Sequence, residues 1–273
     1  MSPMLTMALR AAREAGRLLQ RSIDRLDQVS HVAKGGNDAD RVSEIDTAAE
    51  KIILEQLQQH YPDHGYLCEE SGVINGKGSG VDYQWIIDPI DGTTNFIQGI
   101  PHCAISIALK VKNQLQLGVV YDPFKGEEFT AERGRGAFLN NRRIRVSNCH
   151  RLHQATIATG FPFHGSKEPY TDAYMSMFAE LGKEVRAVRR LGSAALDLAY
   201  VAAGRYDGYF ELDLKAWDIA AGCLLVKEAG GFVGDLSGGV KSPLDTGHVC
   251  AGNTKIFKSL VSMVPAKLHS LIK

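Results

Sequence analysis

The feature that most constrains this 273-residue chain is the run Trp85-Ile86-Ile87-Asp88-Pro89-Ile90-Asp91-Gly92-Thr93. Bulky apolar residues form a core strand and lead straight into a carboxylate, which is costly beside a core unless a cation answers it. Pro89 removes a backbone donor and Gly92 admits a left-handed turn, so the chain must bend there. The bend folds Asp91 back towards Asp88 and aims the Ile90 carbonyl into the same space. Hard oxygen donors with no His or Cys beside them select Mg²⁺, Ca²⁺ or Mn²⁺ over zinc or copper. Taken alone, the same motif also suits a strand-to-turn junction with Asp88 as a cap and Asp91 in solvent.

The surroundings favour the metal. Gly92-Thr93-Thr94-Asn95 can open a helix whose free N–H groups and positive dipole end suit a phosphate. Six acids (Asp63, Glu69, Glu70, Asp82, Asp88, Asp91) and one base (Lys77) lie between positions 63 and 91. Glu69, after the strand-like 65–67, and Asp218, at the start of the apolar helix of Trp217-Asp218-Ile219-Ala220-Ala221-Gly222, fit the same cluster. Asp218 would also serve as an ordinary helix cap. Carboxylates holding divalent metal beside an anion site are the layout of metal-assisted phosphate ester hydrolysis.

Periodicity gives the organisation. Apolar residues at three- and four-residue spacing predict a helix over 4–26, followed by a polar loop at 34–38. Ser43 with Asp46 three positions on reads as a helix start, placing Asp46 in a first turn. Antiparallel strands are expected at 84–87, 103–109 and 115–121, with a turn at 112–114. From 150 the pattern alternates: strand 155–159, helix 168–182, strand 185–188, helix 193–203, strand 206–210, helix 217–229, strands 231–235 and 248–251, and a helix from 254. That is α/β layering. No repeat or clear linker divides residues 1–273, so a single domain is expected, with halves 1–150 and 151–273 and the site between them.

Composition excludes some classes. Thirty-one basic residues against 31 acidic ones argue against a protein that coats nucleic acid or an anionic membrane. Five cysteines without a C-x-x-C pair read as reduced and intracellular. With no signal-peptide pattern and no membrane-length apolar run, the expected address is cytoplasmic, with no membrane partner.

The strings Cys68-Glu69-Glu70-Ser71-Gly72, 85–96 and Ala216-Trp217-Asp218-Ile219-Ala220-Ala221-Gly222 resemble the inositol monophosphatase family, most closely its bacterial branch. The likeness runs from the first helix to about Gly252. It implies an αβαβα five-layer sandwich of the sugar-phosphatase superfamily and a Mg²⁺-dependent, lithium-sensitive inositol-1-phosphate phosphatase using two or three ions, with Mn²⁺ as a substitute. By resemblance, Glu69, Asp88 and the Ile90 carbonyl hold one metal, Asp88, Asp91 and Asp218 a second, and Glu69 with water a third. Thr93 and Asp46 orient the attacking water with Glu69, and the Gly92 and Thr93 amides receive phosphate.

On the substrate side the resemblance points to Arg189, Gly192, Ser193, Ala194 and Glu211, with Asp218, around a small phosphorylated polyol. Arg190 adjoins Arg189 and competes for its role. From sequence alone, 192–194 is equally a plain helix start and Glu211 a solvated strand end. Lys215 and Asp213 depart from relatives and leave the leaving group open. Alternatives are the same chemistry on 3′-phosphoadenosine 5′-phosphate, fructose 1,6-bisphosphate or histidinol phosphate, or a transcription antitermination partner with a secondary phosphatase activity. Six arginines and no acid between 133 and 151 read as a solvated hairpin, or as a surface for the transcription machinery. A homodimer is expected, with Phe161-Pro162-Phe163 and the strand 102–109 as interface. Cys68, next to a proposed ligand, reads as a small buried residue rather than an oxidation-sensitive thiol.

Overall fold

The computed structural model describes residues 1–23, 38–161, 168–239 and 241–272. Apolar residues at helical spacing build α1 (Pro3–Ile23) and α2 (Asp38–His60). Ala8, Ala12, Ala15 and Leu19 of the first bury with Ala49, Ile53 and Leu57 of the second. The second helix begins at Asp38, so Asp46 sits in its third turn and Ser43 does not start it. Once a helix has nucleated, propagation overrides an internal capping pattern. Residues 24–26 of the expected first helix and 34–37 of the expected loop lie outside the described residues, while Asp38 is helical.

The next strands are β1 (Gly65–Cys68), β2 (Gly72–Ile74) and β3 (Tyr83–Asp91), followed by the short helix α3 (Thr93–Ile97). Then come β4 (Ala104–Val111), β5 (Gln114–Asp122), β6 (Glu127–Glu132), β7 (Gly136–Leu139) and β8 (Arg142–Arg143). They form one sheet in the order β2-β1-β3-β4-β5-β6-β7-β8. β1 runs parallel to β3 and the other neighbours are antiparallel, as the short runs and turns predicted. Lys112 and Asn113 have φ of 48° and 62°, the left-handed pair of a two-residue hairpin, so Gln114 belongs to β5 and not to the turn.

The chain continues through β9 (Thr156–Thr159), α4 (Glu168–Glu184), β10 (Ala187–Arg189), α5 (Ala194–Ala202) and β11 (Gly208–Glu211). It closes with α6 (Ala216–Glu228), β12 (Phe232–Asp235), α7 (Pro243–Thr246), β13 (Val249–Gly252), α8 (Thr254–Ser262) and α9 (Ala266–Leu271). The second sheet has the order β10-β9-β11-β13-β12. The expected alternation holds, with boundaries displaced by a residue or two.

Strand alternation builds the layers, because successive side chains face opposite sides. Trp85 and Ile87 bury against α1 and α2, whereas Ile86, Ala108 and Phe129 face α5 and α6. Tyr209, Val249 and Ala251 of the second sheet close on the same two helices from the other side, and Ile157, Phe210 and Cys250 bury against α4, α8 and α9. The result is the expected α-β-α-β-α sandwich. β4, offered above as dimer surface, lies between β3 and β5, and Ile105, Ile107, Ala108 and Leu109 are all buried, so it is core. Phe161 packs on Phe178, and Pro162 and Phe163 lie outside the described residues. Among the described residues no helix is long and apolar enough to cross a membrane.

Candidate active site

β3 carries its core run past Asp88 to Asp91, and its register with β4 shifts between those two residues. The irregularity comes from the proline. With no N–H on Pro89, the Asp88 carboxylate turns to accept the Ile90 N–H at 2.9 Å, and the Thr93 hydroxyl donates to the Ile90 carbonyl at 3.0 Å. Gly92 has φ 101°, and a Cβ there would press on the Gly192 and His102 carbonyls at 3.1 Å. Only glycine meets both demands.

This turn opens on a cavity of about 210 Å³. From the first half of the chain, Glu69, Asp88, Ile90, Asp91, Gly92 and Thr93 line it. From the second half come Gly160, Arg190, Gly192, Ser193, Ala194, Glu211 and Asp218. Asp88, Asp91 and Asp218 each offer a carboxylate oxygen, all within 4.8 Å of one another. The donors are all hard oxygens, and this grouping fits a divalent cation of the Mg²⁺ class.

Each carboxylate is held by local chemistry. The backbone N–H of Glu69 donates to the Ile87 carbonyl at 3.2 Å, setting that residue beside the end of β3. Asp91 Oδ2 accepts from the Ser193 hydroxyl at 2.5 Å and the Ala195 N–H at 2.7 Å, so it also anchors the start of α5. Asp218 sits in the first turn of α6, and its Oδ2 accepts the Lys215 N–H at 2.7 Å; it is both cap and cavity residue. Asn95 on α3 donates to the His102 and Leu191 carbonyls at 2.8 and 2.7 Å, tying the turn to the loop before α5.

The electrostatics of the cluster favour a cation beside it. Burial above all, with neighbouring Asp218, pushes Asp91 up to about 8, and burial with Asp91 and Glu69 alongside lifts Asp88 well above the carboxylate range. Burial likewise raises Glu69 to about 7 and Asp218 to about 6, the latter restrained by its bond from the Lys215 N–H. Carboxylates this close cannot all ionise without a cation between them.

Two expected residues do not line the cavity. Asp46 is buried near Glu69, Glu70 and Glu50, with Oδ1 unpartnered among the described residues and its acidity weakened to about 8, mainly by burial. Arg189 is exposed and donates to the Val188 carbonyl, and its neighbour Arg190 takes the cavity rim. β10 ends at Arg189, and Arg190 is the first residue of the segment that leads from the strand to the cavity. Glu211 is buried, 9% exposed, and not a solvated strand end. Cys68 is fully buried, with burial pushing its thiol up to about 12.

Sequence reasoning missed Gly160 and Glu50. Glu50 lies one helical turn beyond Asp46 and accepts the Glu70 and Ser71 N–H groups at 2.9 Å, clasping the turn after Glu69. Its i+4 spacing from Asp46 was a usable signal. Gly160 has none in its local sequence.

Comparison with known proteins agrees with this geometry. The inositol monophosphatase family model matches residues 1–268. A Pseudomonas aeruginosa protein named Nus factor SuhB is 52% identical over 273 residues, 100% of both chains. The crystal structure of extragenic suppressor protein suhB from Bartonella henselae superposes with a TM-score of 0.86 at 42% identity, covering 97% of this chain and 99% of that one. Inositol monophosphatase from Anabaena (Nostoc) sp. PCC 7120 gives 0.83 at 37% identity, with 96% of each chain covered. The match spans both the acidic turn and the Asp218 helix: this chain belongs to the inositol monophosphatase family.

Proposed function

We propose that the protein is a Mg²⁺-dependent phosphomonoesterase that hydrolyses inositol 1-phosphate to inositol and phosphate. The observation that carries this reading is the convergence of Asp88, Asp91 and Asp218 on a cavity that Gly192, Ser193 and Glu211 also line. Asp88, Asp91, Asp218, Glu69 and the Ile90 carbonyl would hold two or three Mg²⁺ ions, or Mn²⁺ in their place. When bound, these ions neutralise phosphate charge and acidify water.

The chain's own residues do the rest. The Thr93 hydroxyl, by donating to the Ile90 carbonyl, keeps its oxygen as an acceptor for a proton of the attacking water. Glu69 draws the other proton of that water, and Asp46, which lies off the cavity near Glu69, acts on the water's orientation through that neighbour. The Gly92 and Thr93 amides face the phosphate. Gly192, Ser193, Ala194 and Glu211 meet the polyol. A buried carboxylate at Glu211 suits ring hydroxyls better than a second phosphate, which favours inositol 1-phosphate over 3′-phosphoadenosine 5′-phosphate or fructose 1,6-bisphosphate. Arg190, and not Arg189, is the basic residue proposed to approach the substrate.

With this reading go lithium inhibition, a cytoplasmic address, homodimerisation, and one domain of residues 1–273. The test is phosphate release from inositol 1-phosphate with Mg²⁺ and with EDTA, in wild type and in Asp88→Asn. Turnover in EDTA, or normal turnover in the variant, defeats it.

A second role is supported by a separate surface. Arg133, Arg135, Arg142, Arg143, Arg145 and Arg151 are all exposed along and beyond the β6-β7-β8 edge, and relatives carry the name Nus factor. We infer that this edge contacts the transcription machinery. Arg142→Glu with Arg143→Glu should lose recovery of transcription factors in a pull-down, and unchanged recovery would reduce the edge to a solvated face.

A further inference from the structure

Glu211 ends β11 and turns a buried carboxylate into the cavity. Two neighbours fix it. The hydroxyl of Tyr209, itself fully buried, donates to Oε2 at 2.6 Å. On the other side the carboxylate lies directly over the Cα of Gly160, so closely that a Cβ there would fall inside it. Gly160 cannot easily yield. Its carbonyl accepts the Tyr174 hydroxyl at 2.6 Å, and the preceding Thr159 hydroxyl donates to the Phe210 carbonyl at 2.8 Å, locking the end of β9 to its parallel neighbour β11. Gly160 is not among the glycines with positive φ, so its backbone would accept alanine. What glycine supplies here is space.

We propose that Gly160 and Tyr209 are the positioning residues that set substrate specificity: the bare Cα of Gly160 forms the slot that seats the Glu211 carboxylate, and Tyr209 orients it, so that the cavity offers a fixed acceptor to the hydroxyls of a polyol leaving group. This rests on the phosphomonoesterase reading above. An alanine at 160 displaces the end of a flexible side chain and leaves β9 intact. Substrate hydroxyls then lose their acceptor inside a desolvated pocket, where an unmet hydrogen bond costs most.

The test compares inositol 1-phosphate with p-nitrophenyl phosphate, which has no ring hydroxyls, at fixed Mg²⁺ in wild type, Gly160→Ala and Tyr209→Phe. Expected is a loss in kcat/KM of about tenfold or more on the inositol ester, carried mainly by KM, with the aryl ester within about twofold. Adding Glu211→Gln to Gly160→Ala should cost nothing further. Equal loss on both esters, no loss, or full additivity overturns the proposal. Tyr209→Phe keeps the test decisive if the alanine variant does not fold. If wild type cleaves neither ester, the phosphomonoesterase reading fails, and a crystal structure of Gly160→Ala decides the slot. A displaced Glu211 carboxylate supports it, and an unmoved carboxylate over a shifted β9 overturns it.

Discussion

At the metal end of the cavity, Asp88, Ile90, Asp91, Gly92 and Thr93 arrive on six consecutive residues, whereas at the Glu211 end Gly160 and Glu211 arrive from two separate segments. The metal end is held by its own covalent geometry: a proline without a donor, an Asp88 side chain on the Ile90 amide, a glycine in the left-handed region. The Glu211 end is held by packing between elements, through Tyr209, Tyr174 and the β9–β11 register. Local geometry makes the first end resistant to change around it, and distributed packing makes the second adjustable by single substitutions.

The largest expected effect falls at the metal end. Asp88→Asn should lower turnover by about a thousandfold or more, since it removes one of the converging charges, while circular dichroism shows an intact fold. A variant within tenfold of wild type would mean that the metal end is not where the chemistry sits. Next, Mg²⁺ at a hundred times its Kd should stabilise the wild type by about 2.7 kcal/mol, read as a rise in melting temperature. Asp91→Asn and Asp218→Asn should lose most of that rise. A full rise in both variants would place the cation elsewhere.

Ser193 ties α5 to the metal end, since it caps that helix and donates to Asp91. Ser193→Ala should cost about 1 kcal/mol in urea unfolding, the usual worth of such a cap. No measurable cost would show that Asp91 anchors the helix alone.

A pH effect should appear at the same seam. His102, whose carbonyl takes the Asn95 amide, is lowered to about 4 by burial and by Lys125. Its ring is therefore neutral in the folded protein but gains a proton in the unfolded chain below about pH 6.5. Its contribution to stability is complete above pH 6.5 and is lost as pH falls from there towards 4. Unfolding of wild type and His102→Gln across this window should give a steeper fall for wild type; parallel curves would refute it. The smallest effect is expected far from both ends. Arg142→Glu with Arg143→Glu should leave phosphate release unchanged, and a clear loss would link the arginine edge to the cavity.

Much of the metal end was legible because its cause is local. Pro89, Gly92 and the apolar run before Asp88 dictate a bent strand end wherever they occur, and helical spacing put Asp218 in a first turn. The layers were legible for the same reason, since periods of two and of three to four are short-range properties. The start of α2 was not, because Ser43 is as good a cap in sequence as in fact it is a helix interior. The choice between Arg189 and Arg190 was not, because β10 ends between them, and where a strand stops is set by its pairing with β9. Nor was Glu50, although its spacing from Asp46 was available.

By itself, the sequence determined that this chain would layer helices on sheets and would bring hard oxygen donors to a bent strand end, since dihedral limits and burial of apolar periodicity act within a few residues. Only the tertiary structure decided that Asp218 closes on Asp88 and Asp91, that Arg190 reaches the rim, and that Glu211 lies in a slot left by Gly160. Those outcomes depend on the register of strands far apart in the chain and on the space between side chains, and no local property of a sequence carries either.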